Sequence, residues 1–288
     1  MELSQLEMRI SRSENLPILP EAVLRVLRIL DDPDCSHRDI DEAISMDAAL
    51  SGKVLRVANS PFYCATQVDS VRRALSVLGL NAIRSLVVSV GFRQASITPP
   101  SAEGFDKGAF WAHSLAVGVG AKILGKLSDP TNCDQLFTAG IMHDVGILAL
   151  DRFAPFELEE SLRLAATEGL PLHDAERRIL GFDHAAVGAL LCQLWNLPPL
   201  MESAVRHQFE PMLDMNFFKA TSIIAVADAL AWKIGYGHSA ARPGNELNDV
   251  LVLPLELPLE QFESIGNVVS QEVDRAQESM GIPLKSAA

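Results

Sequence analysis

The chain has 288 residues, 48% of them apolar, enough for a sizeable core in one large domain or two modest lobes. With 24 basic against 37 acidic residues its formal net charge is -13, which repels a phosphate backbone and sets nucleic acid aside as a general partner. The four cysteines, Cys35, Cys64, Cys133 and Cys192, stand far apart with no C-x-x-C pair, so neither a zinc ribbon nor a disulfide framework is expected and a reducing cytoplasm fits best.

The N-terminus lacks an apolar core of signal-peptide type, and no segment reaches the ~18 uninterrupted apolar residues of a membrane span, so a soluble cytoplasmic protein with no membrane partner is expected. Apolar residues recur at three and four almost throughout while alternating runs are scarce, which predicts an all-α fold. Five short helices are expected in the first hundred residues: "PEAVLRVLRIL" from Pro20, "HRDIDEAISMD", "AALSGKVLRVANS", "VRRALSVLG" and "LNAIRSLVVSVGFRQ", punctuated by Asp, Ser and Pro. The Ser, Pro and Gly concentrated between Ala95 and Asp106 mark the best internal boundary, dividing an N-terminal helical lobe, 1–96, from a second helical lobe, 97–288. Beyond it helices are expected at Asp106 to Leu127, Cys133 to Phe153, Phe156 to Glu168, Leu172 to Leu180, His184 to Trp195, Pro199 to Gln208 and Phe217 to Gly235. A surface excursion from Gly237 then leads to a closing amphipathic helix after Pro258.

Several polar residues fall on apolar faces of these helices. One row reads Leu136, Gly140, His143, Ile147, Leu150 and the next Phe137, Ile141, Asp144, Leu148. On a continuous helix His143 and Asp144 would point about 100° apart, close enough to share one ion. His113 lies with Phe110, Val117, Ala121 and Leu124, and Asp228 with Thr221, Ile224 and Ala231. His184 heads the row Val187, Gly188, Leu191, with Asp183 placed as its N-cap, and His207 follows Leu200, Ser203 and Ala204.

A histidine on an apolar face, taken alone, is more often a core residue satisfied by one carbonyl than a ligand. Asp144 and Asp228 are harder to satisfy, because a buried carboxylate needs a cation or several donors and neither row offers Lys or Arg. Two histidines and two aspartates from three helices form the mixed nitrogen and oxygen set that suits Mn, Fe, Zn or Mg. By contrast His37, His173 and His238 stand in polar or glycine-rich settings and are expected at the surface. The pairs Arg72-Arg73 and Arg177-Arg178 read as solvated helix faces, with phosphate binding as their other use.

The order His113, His143-Asp144, Asp228 resembles the H…HD…D signature of the HD superfamily of helical metal-dependent phosphohydrolases. More particularly, "LPILPEAVLRVLRILDDPD", "ISMDAALSGKVLRVANSPFY", "ALSVLGLNAIRSLVV", "FWAHSLAVG", "AGIMHDVGILAL" and "GFDHAAVGALLCQLWNLP", running in order from about Leu16 to Pro211, are similar to the HDOD domain, a signalling relative of the HD and HD-GYP domains. The resemblance implies an N-terminal helical lobe packed on an HD-like lobe, a place in bacterial regulation or signal transduction, and generally no established enzymatic activity. It carries a divalent-metal set onto His113, His143, Asp144 and Asp228, with Fe, Mn, Zn or Mg as the ion and no organic cofactor. It also makes His184 and His207 look like ligands of a second metal.

The departures bear on activity. Where HD-GYP enzymes carry a lysine after HD-x-G, this chain has Ile147, and where they carry a paired histidine it has Gln208 after His207. Losing a phosphate-facing cation removes transition-state stabilisation that typically matters by orders of magnitude in rate. The expectation is therefore a signalling module that keeps its metal site without efficient catalysis, acts on regulatory protein partners and takes a nucleotide as a further ligand. The "VANSPFY" turn and the groove between the lobes are its expected contact places. The alternative is a working phosphohydrolase on a nucleotide or phosphodiester with Asp144 as catalytic residue. A cluster merely hydrogen-bonded to itself is the third reading.

Overall fold

The structure, a computed structural model, describes residues 2–12, 19–30, 32, 34–59, 67–96, 102–238 and 244–279. The fold is all-α, as the periodicity predicts. The first helix, α1 (Leu3–Arg12), is not among the expected elements, although Leu6 and Ile10 on one of its faces are fully buried. Next come α2 (Glu21–Leu30), α3 (His37–Ser45) and α4 (Ala48–Ala58). Ser36 and Asp39 close a reciprocal capping box on α3, and Asp47 caps α4 by accepting from Leu50 N at 2.9 Å. After α4, Asn59 clamps both backbone groups of Val68: its Nδ2 donates to Val68 O at 2.8 Å and its Oδ1 accepts from Val68 N at 2.7 Å. Pro61, Phe62 and Tyr63 of the "VANSPFY" turn lie outside the described residues.

Helix α5 (Val71–Ser96) is broken at Gly79, whose φ of 80° and ψ of 172° only glycine adopts readily, so the two expected helices are recovered end to end. It packs on α2, α3 and α4 and also on the next group of helices. That group is α6 (Lys107–Ser128), α7 (Cys133–Met142), α8 (Val145–Phe153), α9 (Pro155–Glu168), α10 (Leu172–Leu180), α11 (His184–Leu194), α12 (Pro199–Arg206), α13 (Phe218–Lys233), the short α14 (Asp249–Val252) and α15 (Gln261–Ser279). Helix α6 is its axis, buried continuously from Phe110 to Lys122 and flanked by α7, α13 and α15. One apolar core runs through both groups of helices. The chain's first helix packs across on α8, where the Arg9 guanidinium donates to Phe153 O at 3.2 Å. Among the described residues no single helix is long and apolar enough to cross a membrane.

The linker residues 97–101 lie outside the described residues, but the chain is anchored as soon as it resumes. Asp151 on α8, buried, accepts from Ala102 N at 2.8 Å with one oxygen and pairs with Lys107 Nζ at 2.9 Å with the other. Truncation would leave the largely buried ammonium without this partner, so Asp151→Ala is expected to cost about 3 kcal/mol or more, read from the urea midpoint at unchanged slope.

One expected helix is wrong. Cys133 to Phe153 is two helices, not one, because the chain leaves helical geometry at Asp144 (φ -99°, ψ 17°) between α7 and α8. The rows written across His143 and Asp144 therefore do not continue through the pair, which sits on a turn. Two backbone-to-backbone crossings then fix where that turn lies. A Cβ on Gly140 would stand 2.8 Å from Gly118 Cα, so α7 lies directly on α6, and a Cβ on Gly146 would stand 1.9 Å from His184 O, so α8 lies directly on the start of α11. The first crossing sets His143 beside His113 and the second sets His184 beside Asp144.

Candidate metal centre

His113, from the middle of α6, is fully buried, and its Nδ1 lies 2.7 Å from Tyr236 O just beyond α13. His143 does the same with Gly140 O at 2.8 Å. A carbonyl oxygen can only accept, so both Nδ1 atoms carry hydrogen and, in the neutral rings, both Nε2 atoms present bare lone pairs. Those two nitrogens face each other at 3.2 Å.

Asp228 Oδ1 lies 3.2 Å from His113 Nε2 and 4.0 Å from His143 Nε2, while Asp144 Oδ2 lies 3.2 Å from His143 Nε2 and 3.8 Å from His113 Nε2. His113 Nε2, His143 Nε2 and Asp228 Oδ1 thus converge from α6, the α7–α8 turn and α13, with Asp144 Oδ2 set against the same two imidazoles. Ligand atoms ~2.1 Å from one ion are roughly 3.0 to 3.4 Å apart when adjacent and up to about 4.2 Å when opposed, so the spacing of His113, His143 and Asp228, 3.2 to 4.0 Å, fits a single divalent cation. The carbonyls behind the two rings fix their tautomers as ligating histidines require. His113, His143 and Asp228 form one such group, and His113, Asp144 and His238 a second that overlaps it.

Burial and the charges within the cluster pull its groups in opposite directions. Burial would raise the Asp144 carboxyl, yet His143 and His184 beside it outweigh burial and hold it well below the usual carboxylate range. Burial lowers His113 against the pull of Asp228, keeping it neutral with Nε2 available. For His143 burial also opposes charging, but Asp144 wins and its pKa rises.

His184 plays a different part. Its Nε2 lies 3.1 Å from Asp144 Oδ1 and its Nδ1 2.5 Å from Glu176 Oε2. Burial opposes its charge, but Glu176 and then Asp144 raise its pKa well above the ordinary value. Glu176 holds the Nδ1 side of the ring and Asp144 the Nε2 side. His207 is elsewhere: its Nδ1 lies 3.1 Å from Ser203 O, 3.4 Å from Ser203 Oγ and 4.0 Å from Asp214 Oδ2. The structure thus brings His113, His143, Asp144, Asp228 and His184 together and does not bring His207 to them.

Two histidines expected at the surface are buried instead. His238 places Nε2 3.1 Å from Asp144 Oδ2, with its ring 4.6 Å from that of His113 and 5.5 Å from that of Trp232. His173 stacks on Phe209 with ring centres 3.9 Å apart, and burial followed by the charge on His184 lowers its pKa to about 4. His37, at the start of α3, is exposed as expected. Two further residues carry no sequence signal of their part in the site. Glu176, fully buried, fixes His184 through both the ring and the backbone N, and Gln208 donates to His143 O at 2.8 Å, a structural tie in place of a ligand. Glu176 Oε1, Gln208 Oε1 and His238 Nδ1 are buried without a partner among the described residues. Of the arginine pairs, Arg72, Arg177 and Arg178 are each engaged with a carboxylate.

Above the cluster a cavity of about 20 Å³ is walled by Leu172, His173, Phe209 and Trp232. A single water needs about 10–15 Å³, so the space takes little more than one. Neither Lys nor Arg is among the described residues that line it, and Ile147 is fully buried in the core.

Beside His207, Asp214 accepts from Thr221 Oγ1, Ser203 Oγ, Phe217 N and Asn216 N. Burial pushes its pKa up, but these bonds more than offset it and the net direction is down. A carboxyl depressed in the folded state stabilises fully above its ordinary unfolded pKa and loses that contribution as pH falls through the depressed value. Asp214→Asn is therefore expected to be less stable than the parent at pH 7 and to show a flatter acid limb, checked by urea midpoints measured from neutral pH downward.

The HDOD domain profile matches residues 16–211. An HDOD domain protein of unknown function from Geobacter sulfurreducens has a solved structure 24% identical in sequence, covering 97% of this chain and 95% of its own at a TM-score of 0.71. A Shewanella amazonensis structure named "Putative phosphohydrolase" is 24% identical over 96% of this chain and 97% of that one, with a TM-score of 0.71. A Marinobacter aquaeolei structure named "Putative signal transduction protein" is 20% identical, covering 97% of this chain and 64% of its own, also at 0.71. An uncharacterized Treponema pallidum protein is 26% identical over 220 residues, and the aligned part is 75% of this chain and 42% of that relative. The profile match over most of the chain joins the helical architecture and the His113, His143-Asp144, Asp228 constellation in one conclusion: the protein belongs to the HDOD domain family.

Proposed function

We propose that the protein is a regulatory module in which His113, His143, Asp144 and Asp228 hold one divalent ion that ties α6, the α7–α8 turn and α13 together, and whose surface acts on a protein partner without efficient turnover. The observation that carries this reading is His113, His143 and Asp228 converging, with Asp144 against both imidazoles, beneath a cavity of about 20 Å³ with no cationic side chain among its described lining. When bound, the ion would supply Lewis acidity. The chain's own groups do the rest: Tyr236 O and Gly140 O orient the two rings, Asp144 spans the centre and the His184 ring, and Trp232 and Phe209 keep bulk water and large substrates out.

The hydrolytic reading draws support from the name carried by the Shewanella amazonensis protein. It needs a substrate phosphate beside the cluster, where space for about one water and no Lys or Arg among the described residues argues against it. Elemental analysis of purified protein, alongside a screen of phosphomonoesters and phosphodiesters, tests both. Expected are about one equivalent of metal per chain and turnover no greater than that of Asp144→Ala. Turnover that disappears in the variant makes it an enzyme, and metal-free protein of normal stability makes the cluster a purely hydrogen-bonded one.

A further inference from the structure

A second cavity, of about 200 Å³, lies between α4 and α5 and takes no part in the metal centre. Its apolar wall is Val57 and Val90, each 5% exposed, and buried Ser89 adds a hydroxyl. Around it stand Lys53 and Arg56, one turn apart on α4, and Arg93 and Gln94 on α5. Among the described residues no carboxylate lines it, in a chain whose acidic residues outnumber the basic 37 to 24.

What sets those three cations apart is that they share one cavity and none has an acid partner there. Arg38, Arg72, Arg177, Arg178, Arg206 and Arg275 each pair with a carboxylate. Among the described residues Lys53, Arg56 and Arg93 pair with none. Arg93 is also partly buried, its guanidinium 5.4 Å above the Trp111 ring of α6, and burial alone lowers its pKa because no acid offsets the loss of water. An arginine held by its stem and stacked on an indole keeps its donor fork aimed, the form in which arginine recognises planar or tetrahedral oxyanions. An unpaired, part-desolvated guanidinium beside two further unpaired cations is a standing cost that an anionic ligand would remove.

We propose that this cavity binds a small organic phosphate of mononucleotide size, with the phosphate among Lys53, Arg56 and Arg93 and a flat, weakly polar body against Val57 and Val90. Three cations suit a phosphomonoester dianion better than a single carboxylate. The volume lies below the roughly 300–1,000 Å³ of pockets for drug-sized ligands, which excludes a dinucleotide. Because the cavity sits between α4 and α5, with Arg93 resting on α6, occupancy would tighten the contact between the two helical groups.

Calorimetric titration with adenosine 5′-monophosphate as probe, and with adenosine and inorganic phosphate as separate arms, tests the site. Saturable binding of the monophosphate is expected, stronger than either fragment. Arg93→Met, which keeps a long apolar stem on Trp111, and the exposed double variant Lys53→Gln/Arg56→Gln are each expected to weaken it about tenfold or more. The double variant decides the matter if Arg93→Met is unstable. No saturable binding at millimolar probe, adenosine binding as well as its monophosphate, or undiminished binding in the double variant would overturn the proposal.

Discussion

Asp144→Ala is expected to lose the bound ion and about 3–5 kcal/mol of stability together. The aspartate is 3% exposed and touches every part of the centre: Oδ1 faces His184, and Oδ2 faces His143, His238 and, more distantly, His113. Its removal leaves the His184 ring with Glu176 alone and His238 without its remaining partner, since His238 Nδ1 already has none among the described residues. Asp144→Asn separates the two losses, because it keeps the volume while removing the charge and one acceptor oxygen. Groups that merely orient a ligand are worth about 10–100-fold in metal affinity, so replacing a ligand should cost at least about 100-fold. Metal content after competition with a chelator reads the affinity, and the urea midpoint reads the stability. A variant that keeps the metal and melts like the parent would show that Asp144 is neither ligand nor keystone.

Part of this centre is legible in the helical rows of the sequence alone. A histidine or aspartate surrounded at i±3 and i±4 by apolar residues has nowhere to go but inward, and His113, Asp228 and His184 are buried as those rows require. The break at Asp144 is not legible there, because "GIMHDVGIL" is apolar on both sides and continues in helical period; the turn is imposed by α11 pressing on Gly146, a long-range contact. His238 follows a glycine-flanked segment with no periodicity at all, and its burial comes from Trp232 and Phe110 packing over it. Glu176 lies within the strongly charged "HDAERR", which reads as a solvated face although His173, Ala175 and Glu176 turn in. For His207 the row Leu200, Ser203, Ala204 is buried as read, but α12 ends at Arg206 and His207 is already off the helix.

That dependence on long-range contact makes Gly146 the most sensitive apolar position near the site. A methyl there would meet His184 O at 1.9 Å and Gly188 N at 2.9 Å, both main-chain atoms of α11, so no side chain can rotate away to make room. Relief requires α11 to move, and α11 carries His184, the partner of Asp144 and Glu176. Gly146→Ala is therefore expected to cost more than the 1–3 kcal/mol typical of overpacking, about 4 kcal/mol, and to weaken metal retention although no ligand is changed. Gly52, exposed on the outer face of α4, supplies the contrast: a Cβ there meets nothing within 4 Å, and Gly52→Ala should stabilise by about 0.5–1 kcal/mol through helix propensity. Urea unfolding of the two variants beside the parent, with metal content measured on the same samples, checks both signs. Equal midpoints for Gly146→Ala and the parent would mean that α8 and α11 do not touch as closely as the placement of His184 requires.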